Sequence, residues 1–203
     1  KITEGILEVS DGIHLFPSRI ENAVIDSFLL MNKKNLGAVY KRILEPLKKH
    51  YDLIVLDCPP ALGPSVAAAA LACDTVLAPV SPEGGGISGL SLSFSELSKL
   101  SDDYGRKIQI KIILNKYDSR TRLSKDTYAY LLKEPKFKHA ILSAYVRLSQ
   151  SFPNAHVDGV SIYDTLTAGG AQADVDVVVR EVLGLIPDDE TIIHDEAMEA
   201  IVG

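Results

Sequence analysis

The chain has 203 residues, of which 46% are hydrophobic and 24% are charged, a composition that is ordinary for one water-soluble globular domain. No apolar run approaches membrane-spanning length, and nothing resembles a signal peptide. The net charge of −6 argues against a surface that attracts nucleic acid everywhere, so any such binding needs a local basic patch. Cys58 and Cys73 are predicted to be small buried thiols rather than a disulfide or a metal pair, which indicates a reducing cytosol and a cytoplasmic protein.

Short apolar runs alternate with segments of helical spacing along the chain. In chain order the pattern predicts strands Gly5–Val9 and Gly12–Phe16, helix Asn35–His50, strand Leu53–Leu56, helix Ser65–Cys73, strand Thr75–Val80, helix Ser88–Tyr104, strand Ile108–Leu114, helix Ser124–Lys133, a weaker strand Ala140–Leu142, a long loop, and helix Ala171–Leu183. Alternating strands and helices are typical of βαβ units, whose right-handed crossovers place helices on both faces of a parallel sheet. We therefore expect an α/β fold with an open, mostly parallel, twisted sheet. One domain is expected over residues 1–187, followed by an acidic tail at 188–203.

Asp57 directly follows the apolar run Leu53–Leu56, within the segment YDLIVLDCPPALG at 51–63. The short run is typical of a strand buried on both faces of a parallel sheet, and Pro59 and Pro60 force the chain out of that sheet. Open α/β sheets bind ligands at the carboxyl ends of their strands. A carboxylate there is suited to holding Mg²⁺, often through water, in a nucleotide triphosphatase. The alternative is an aspartate that caps the next helix.

A series of motifs, taken together and in order, resembles the ParA/Soj partition ATPases, which are relatives of MinD within the deviant-Walker P-loop class. The matching residues are LFPSRI at 15–20, YDLIVLDCPPALG, ACDTVLAPV at 72–80, Glu83, Gly89-Leu90, YDSRTRLS at 117–124, VRLS at 146–149, Tyr163-Asp164 and the final amphipathic helix. The resemblance implies a P-loop NTPase-like fold and an ATP hydrolase that uses ATP and Mg²⁺.

The phosphate loop of that family, and the switch segment with its aspartate for the attacking water, should precede all of these motifs, and neither occurs in this sequence. The glycine cluster at 84–86 has no Lys-Ser/Thr after it and is therefore no phosphate cradle of that kind. Phosphoryl transfer depends on such a loop to hold the phosphates and to neutralise developing charge. We therefore expect the chain to be an N-terminally truncated piece that is inactive alone.

The resemblance assigns roles to four residues near the nucleotide. Asp57 is implied as the acid on the Mg²⁺ side, and Gly63 begins the switch after it, unless Gly63 is a plain turn before Pro64. Asn115 is implied as a contact to the base. Asp118 completes the letters NKYD, the NKxD pattern by which many GTPases read guanine. Because the family uses ATP, we interpret the guanine pattern as coincidence, and a capping or turn role for Asp118 is equally open.

The resemblance also implies partners. An ATP-dependent homodimer would bind DNA non-specifically, and a ParB-type centromere-binding protein would stimulate hydrolysis, in the cytoplasm at the nucleoid. The candidate DNA contacts are Arg120, Arg122, Lys125 and Arg147, with a solvated basic face as the alternative. A MinD-like membrane-cycling ATPase is a second reading, disfavoured because the tail is acidic, so that no membrane partner is expected. A third is a non-enzymatic short form that acts as an interaction module.

Overall fold

The computed structural model describes residues 5–19, 24–31 and 36–185. The described chain divides into two compact units, one with the residues up to 74 together with 95–108, and the other with residues 75–94 and those from 109 onward. The predicted acidic tail at 188–203 lies outside the described residues. Each unit has its own hydrophobic core.

The first unit contains an antiparallel hairpin, three whole helices and residues 95–104 of a longer helix. The hairpin strands are β1 (Leu7–Ser10) and β2 (Ile13–Leu15), and the helices are α1 (Ile25–Met31), α2 (Leu36–Leu47) and α3 (Pro64–Ala72). Helix α3 is almost wholly apolar, and its buried alanines let α2 approach closely over Leu29, Leu36 and Leu71. The guanidinium of Arg106 donates hydrogen bonds to the carbonyl oxygens of Leu71 and Cys73, so that a cation occupies the carboxyl end of α3.

The second unit is built on a parallel three-stranded sheet with the strand order β3-β4-β5. Its elements are β3 (Thr75–Val80), the first half of α4 (Gly86–Tyr104), β4 (Gln109–Tyr117), α5 (Arg122–Lys133), β5 (Ile141–Arg147), α6 (Ser151–Asp158), a 3-10 helix (Ile162–Asp164) and α7 (Gly169–Val182). This confirms the predicted fold class, an α/β protein with a parallel sheet.

Both faces of the sheet are covered by helices, as predicted. Successive side chains of β4 point to opposite faces. Ile112 and Leu114 are fully buried against α4 and α5, in a cluster with Tyr128 and Leu131. Ile113 packs on the other face against α7, through Val178. Burial on both sides explains why the middle of β4, residues 112–114, is apolar without alternation.

Two bulges interrupt the pairing of β4 with β5. Ile112 pairs with Ile141 and Leu114 with Tyr145, so that β5 holds three residues where β4 holds one. The next pair is Tyr117 with Arg147, and there the extra residue lies in β4, at Asn115-Lys116. Bulges of this kind bend a strand, re-aim its side chains and are common next to functional sites.

The predicted strand Leu53–Leu56 is wrong, because the structure gives residues 53–59 no regular secondary structure. Its apolar side chains are not covered on both faces, and Leu53 and Val55 are 59% and 77% exposed. No strand among the described residues pairs with this segment. An apolar run becomes a central strand only where neighbouring strands flank it, so periodicity alone could not decide its conformation.

Further differences concern the region after Lys133. Strand β5 runs from Ile141 to Arg147, well beyond the predicted Ala140–Leu142, and therefore includes Ser143 and Ala144, which were assigned to a loop. The predicted long loop after it contains α6, and Pro153 lies in the first turn of that helix. Proline is tolerated in the first turn of a helix, where its missing N–H would have no partner. Helices α3, α5 and α7 and strand β3 lie where predicted, within two residues, and α2 ends three residues before the predicted His50.

Candidate functional site

The carboxyl end of β4 carries the residues that were predicted to contact the nucleotide base. The side-chain oxygen of Asn115 accepts a hydrogen bond of 2.9 Å from the backbone N–H of Lys116. Lys116 has a φ of +57°, in the left-handed region that side chains other than glycine rarely adopt. This conformation forms the bulge and turns the ammonium group of Lys116 toward Glu83, whose Oε1 atom lies 3.4 Å from Nζ. Asn115 and Asp118 are thus set at the edge of the sheet where α/β proteins bind ligands.

Asp118 lies at the start of the turn that leads into α5, and its carboxylate is held by Arg120. Oδ1 accepts the backbone N–H of Arg120 at 3.0 Å and its Nε–H at 2.9 Å, while Oδ2 accepts from Nη2 at 2.8 Å. The Asp118 carbonyl oxygen accepts the backbone N–H of Thr121 at 3.0 Å, and Thr121 caps α5 through Ser124. The side-chain and backbone hydrogen bonds from Arg120 lower the pKa of Asp118 from 3.8 to about 2. Asp118 therefore has the turn role that was left open beside base contact.

The titration of Asp118 tests this arrangement. We expect its carboxyl ¹³C resonance to titrate near pH 2 in the wild type and at a higher pH in Arg120→Ala, which loses the side-chain hydrogen bonds and keeps only the backbone N–H. Because the pKa is lowered by folding, the stabilisation is fully present above the unfolded pKa and is lost as the pH falls through about 2. Arg122→Ala, which removes a neighbouring arginine, should leave the midpoint unchanged. An ordinary midpoint in the wild type would show that the pair does not form in solution.

Asp57 and Gly63 lie in the first unit, on the segment that leads into α3. Asp57 is exposed, and Gly63 is the residue before the helix. The φ of Gly63 is −88°, which any residue adopts, so backbone freedom does not explain this glycine. Lack of space explains it, because a Cβ atom at Gly63 would lie 2.9 Å from Oδ2 of Asp26. The other oxygen of Asp26 accepts the backbone N–H of Ser65 at 2.8 Å, which places a carboxylate from α1 at the amino end of α3.

A substitution at Gly63 should therefore act through Asp26. We expect Gly63→Ala to lower the free energy of unfolding by about 1 kcal/mol, because the new methyl group displaces the carboxylate that caps α3. Asp26→Ala should lose a similar amount, and the double variant should lose little more than either single one. Chemical denaturation measures all three, with Gly84→Ala as control, since nothing lies within 4 Å of a Cβ atom there. Fully additive losses would rule out this coupling.

The four predicted DNA contacts differ in how they are held. Arg120 and Arg147 are bound by carboxylates of the same unit. Arg147 lies at the end of β5 and donates to Asp174 at 3.0 Å and to the Gly170 carbonyl oxygen at 3.1 Å. Arg122 is 93% exposed and pairs with Asp126 one helical turn away, and Lys125 is half-buried on the same helix. Arg122 and Lys125 share the first turn of α5, so that part of the predicted basic cluster is close together.

Sequence reasoning missed the contacts that three residues of this region make. Lys116 and Glu83 form an ion pair between the ends of β4 and β3, and a lysine in a left-handed conformation leaves no trace in a sequence pattern. Glu181 on α7 accepts the backbone N–H groups of Ser143 and Ala144 at 2.7 and 2.8 Å. These two groups belong to the bulge of β5, which explains why the residues just before VRLS do not form a loop.

Other predicted features have mixed outcomes. Cys58 and Cys73 are both free thiols, as predicted, but Cys58 is exposed and Cys73 half-buried, so the expectation that both are buried was wrong.

A cavity of about 90 Å³ between β5 and α7 is smaller than the roughly 300 Å³ of typical small-molecule sites. Among the described residues, no group of three or more His, Cys, Asp or Glu side chains could hold a metal ion. None of the helices in that part of the chain is long and apolar enough to cross a membrane.

Comparison with known proteins gives a family match over the first half of the chain. Residues 1–110 match the family model of an AAA domain. The chain is 30% identical over 132 residues to the sporulation initiation inhibitor protein Soj of Bacillus subtilis, covering 64% of this chain and 51% of that protein. It is 27% identical over 143 residues to the chromosome-partitioning ATPase Soj of Treponema pallidum, covering 69% of this chain and 56% of that protein. The chain thus spans about half the length of the curated relatives it matches.

Comparison with solved structures supports the fold. A variant of McdA from Cyanothece, solved as an ATP complex, superposes with a TM-score of 0.75 at 19% identity. The match covers 90% of this chain and 71% of that one. At this identity the likeness concerns the architecture alone, and it agrees with a parallel sheet flanked by helices.

Proposed function

Because the chain belongs to the family of ParA and Soj partition ATPases, we propose that it is part of an ATPase that segregates plasmid or chromosomal DNA. The observation that carries this proposal is the family match over residues 1–110. The placement of Asn115 and Asp118 at the carboxyl end of a parallel strand supports it. The proposed site of action is the cytoplasm, at the nucleoid.

In the second unit, ATP is proposed to lie at the carboxyl ends of the strands, where Asn115 contacts the base. An amide offers both a donor and an acceptor, which adenine requires. For the first unit, the family resemblance supports a separate proposal, that Asp57 holds Mg²⁺, with Gly63 in the switch that follows. Its carboxylate is exposed and supplies the oxygen donor that Mg²⁺ prefers, so the residue fits this role directly or through water. Bound Mg²⁺ would neutralise charge on the phosphates.

The proposed cycle couples nucleotide to DNA. ATP closes a homodimer, the dimer binds DNA without reading its sequence, and a ParB-type partner stimulates hydrolysis and release. Arg122 and Lys125 are the favoured phosphate contacts, because Arg120 and Arg147 are each held by several hydrogen bonds, whereas Arg122 is 93% exposed and makes one exposed pair of 3.2 Å with Asp126. Contacts of this kind position a protein on the duplex and make its affinity depend on salt.

Fluorescence anisotropy with labelled duplex DNA tests the proposal, using the complete product of the gene that encodes this chain. We expect DNA binding only with ATP and Mg²⁺, and weaker binding with a smaller salt slope in the Arg122→Ala, Lys125→Ala double variant. The variant Lys138→Ala, which removes a lysine outside this turn, serves as control. DNA affinity that ignores the nucleotide would contradict the proposed cycle. The 203-residue chain alone, which has no phosphate loop of the P-loop type, should not hydrolyse ATP.

A further inference from the structure

The segment Asn115–Asp118 spells NKYD, the pattern in which an aspartate reads guanine, yet the carboxylate of Asp118 is already occupied. An ionised carboxylate offers about four acceptor positions. Three donors of Arg120 take up three of them: the backbone N–H, Nε–H and Nη2–H. The last two approach the two oxygens side by side, in the bidentate arrangement that arginine and carboxylates favour.

Guanine would need that same arrangement. Its Watson–Crick edge presents N1–H and the N2 amino group side by side, which is the donor pattern that the fork of Nε and Nη2 provides. Adenine carries an acceptor at N1 and would be repelled by the carboxylate, but it can pair with an amide such as that of Asn115. The guanidinium of Arg120 thus occupies the carboxylate oxygens of Asp118 that guanine would bind.

We infer that Arg120 determines nucleotide specificity, because it occupies the face of Asp118 that would otherwise select guanine. The inference rests on the proposed function, since it assumes a purine nucleotide at this edge of the sheet. The NKYD segment has the sequence pattern of a guanine-reading motif, but Arg120, two residues after Asp118, blocks the binding of guanine to that carboxylate.

The local structure keeps this contact in place. Arg120 is only two residues from Asp118. The pair therefore closes a short turn, and its formation fixes the conformation of few other residues. The turn is fixed from both sides, because the Asp118 N–H donates to Ser124 Oγ at 3.2 Å and the Asp118 carbonyl oxygen accepts from Thr121. The Arg120 side chain is 85% exposed, whereas that of Asp118 is 16% exposed. Guanine could bind Asp118 only by expelling an arginine that the fold already aims at it.

Competition of ATP and GTP for the complete gene product, read with a fluorescent nucleotide, measures the specificity. The wild type should prefer ATP, and Arg120→Ala should move the ratio of the two dissociation constants toward GTP by about tenfold. Arg120→Lys should give a smaller shift, because an ammonium group keeps the charge but lacks the planar fork. Lys48→Ala is the control, as it frees a different aspartate, Asp74, from an exposed ion pair, and it should leave the ratio unchanged.

The double variant Asp118→Asn, Arg120→Ala should lose the gain in GTP affinity, because the freed carboxylate is gone. An unchanged ratio in Arg120→Ala, with ATP still bound as in the wild type, would overturn the inference and leave the proposed function intact. A wild type that binds GTP as tightly as ATP would also overturn it. A wild type that binds neither nucleotide would overturn the proposed ATP site and the inference together.

Discussion

Gly86→Ala should lower the free energy of unfolding by about 3 kcal/mol, a large effect for one methyl group. A Cβ atom at this position would lie 2.2 Å from the backbone carbonyl oxygen of Ser81. That oxygen cannot rotate away as a side chain could, so the turn between β3 and α4 must open. The Gly86 N–H also donates to the Glu83 carbonyl oxygen at 3.1 Å, and this hydrogen bond should be lost with the turn.

Denaturation in urea measures the effect, and Gly84→Ala provides the control two residues away in the same loop. Gly84 has open space where its Cβ atom would be, so its replacement should change stability by no more than about 0.5 kcal/mol. Equal losses from the two substitutions would show that the loop does not have this conformation in solution.

Glu181→Ala should lower the free energy of unfolding by about 2 to 3 kcal/mol, because it leaves two backbone donors without their partner. The carboxylate accepts the N–H groups of Ser143 and Ala144, which the bulge of β5 turns toward α7. Asp174 binds the backbone N–H of Arg147 at 2.9 Å, farther along the same strand. The two carboxylates of α7 thus cover the outer side of β5 and hinder pairing with another chain.

Glu181→Gln should be intermediate, because glutamine keeps the shape but has only one acceptor oxygen. Asp176→Ala is the matched control on the same helix, since that carboxylate bonds only the exposed hydroxyl of Tyr163 among the contacts described. Thermal unfolding and light scattering together report stability and self-association. A Glu181→Ala protein as stable and as monodisperse as Asp176→Ala would refute the role of this carboxylate in sealing the sheet.

The sheet could be predicted where a strand is buried on both faces and flanked by strong helices. Strand β3 was predicted to the residue, and β4 to within three residues of its end. The same argument failed for Leu53–Leu56, because burial of a strand is a property of its neighbours as well as of its own side chains. It also stopped short at β5, where a bulge breaks the alternation on which the prediction depends.

The candidate site shows the same limit at the level of single residues. The sequence placed Asn115 and Asp118 at the carboxyl end of a strand, since that follows from the apolar run before them. It could not show that Lys116 is left-handed or that Arg120 binds Asp118, because both depend on the dihedral angles of one turn. The sequence also could not show why position 63 is a glycine, because the reason is the nearby carboxylate of Asp26, 37 residues earlier in the chain.

The most direct measurement is the release of phosphate from ATP by the complete gene product, with and without Mg²⁺. We expect turnover that requires Mg²⁺ and that falls by about a hundredfold in Asp57→Ala. The exchange Asp52→Ala, at an exposed carboxylate five residues earlier, should leave turnover unchanged. Turnover that is independent of Mg²⁺ and of Asp57, or no turnover by a folded gene product, would contradict the proposal that this chain carries the Mg²⁺-binding carboxylate of a partition ATPase.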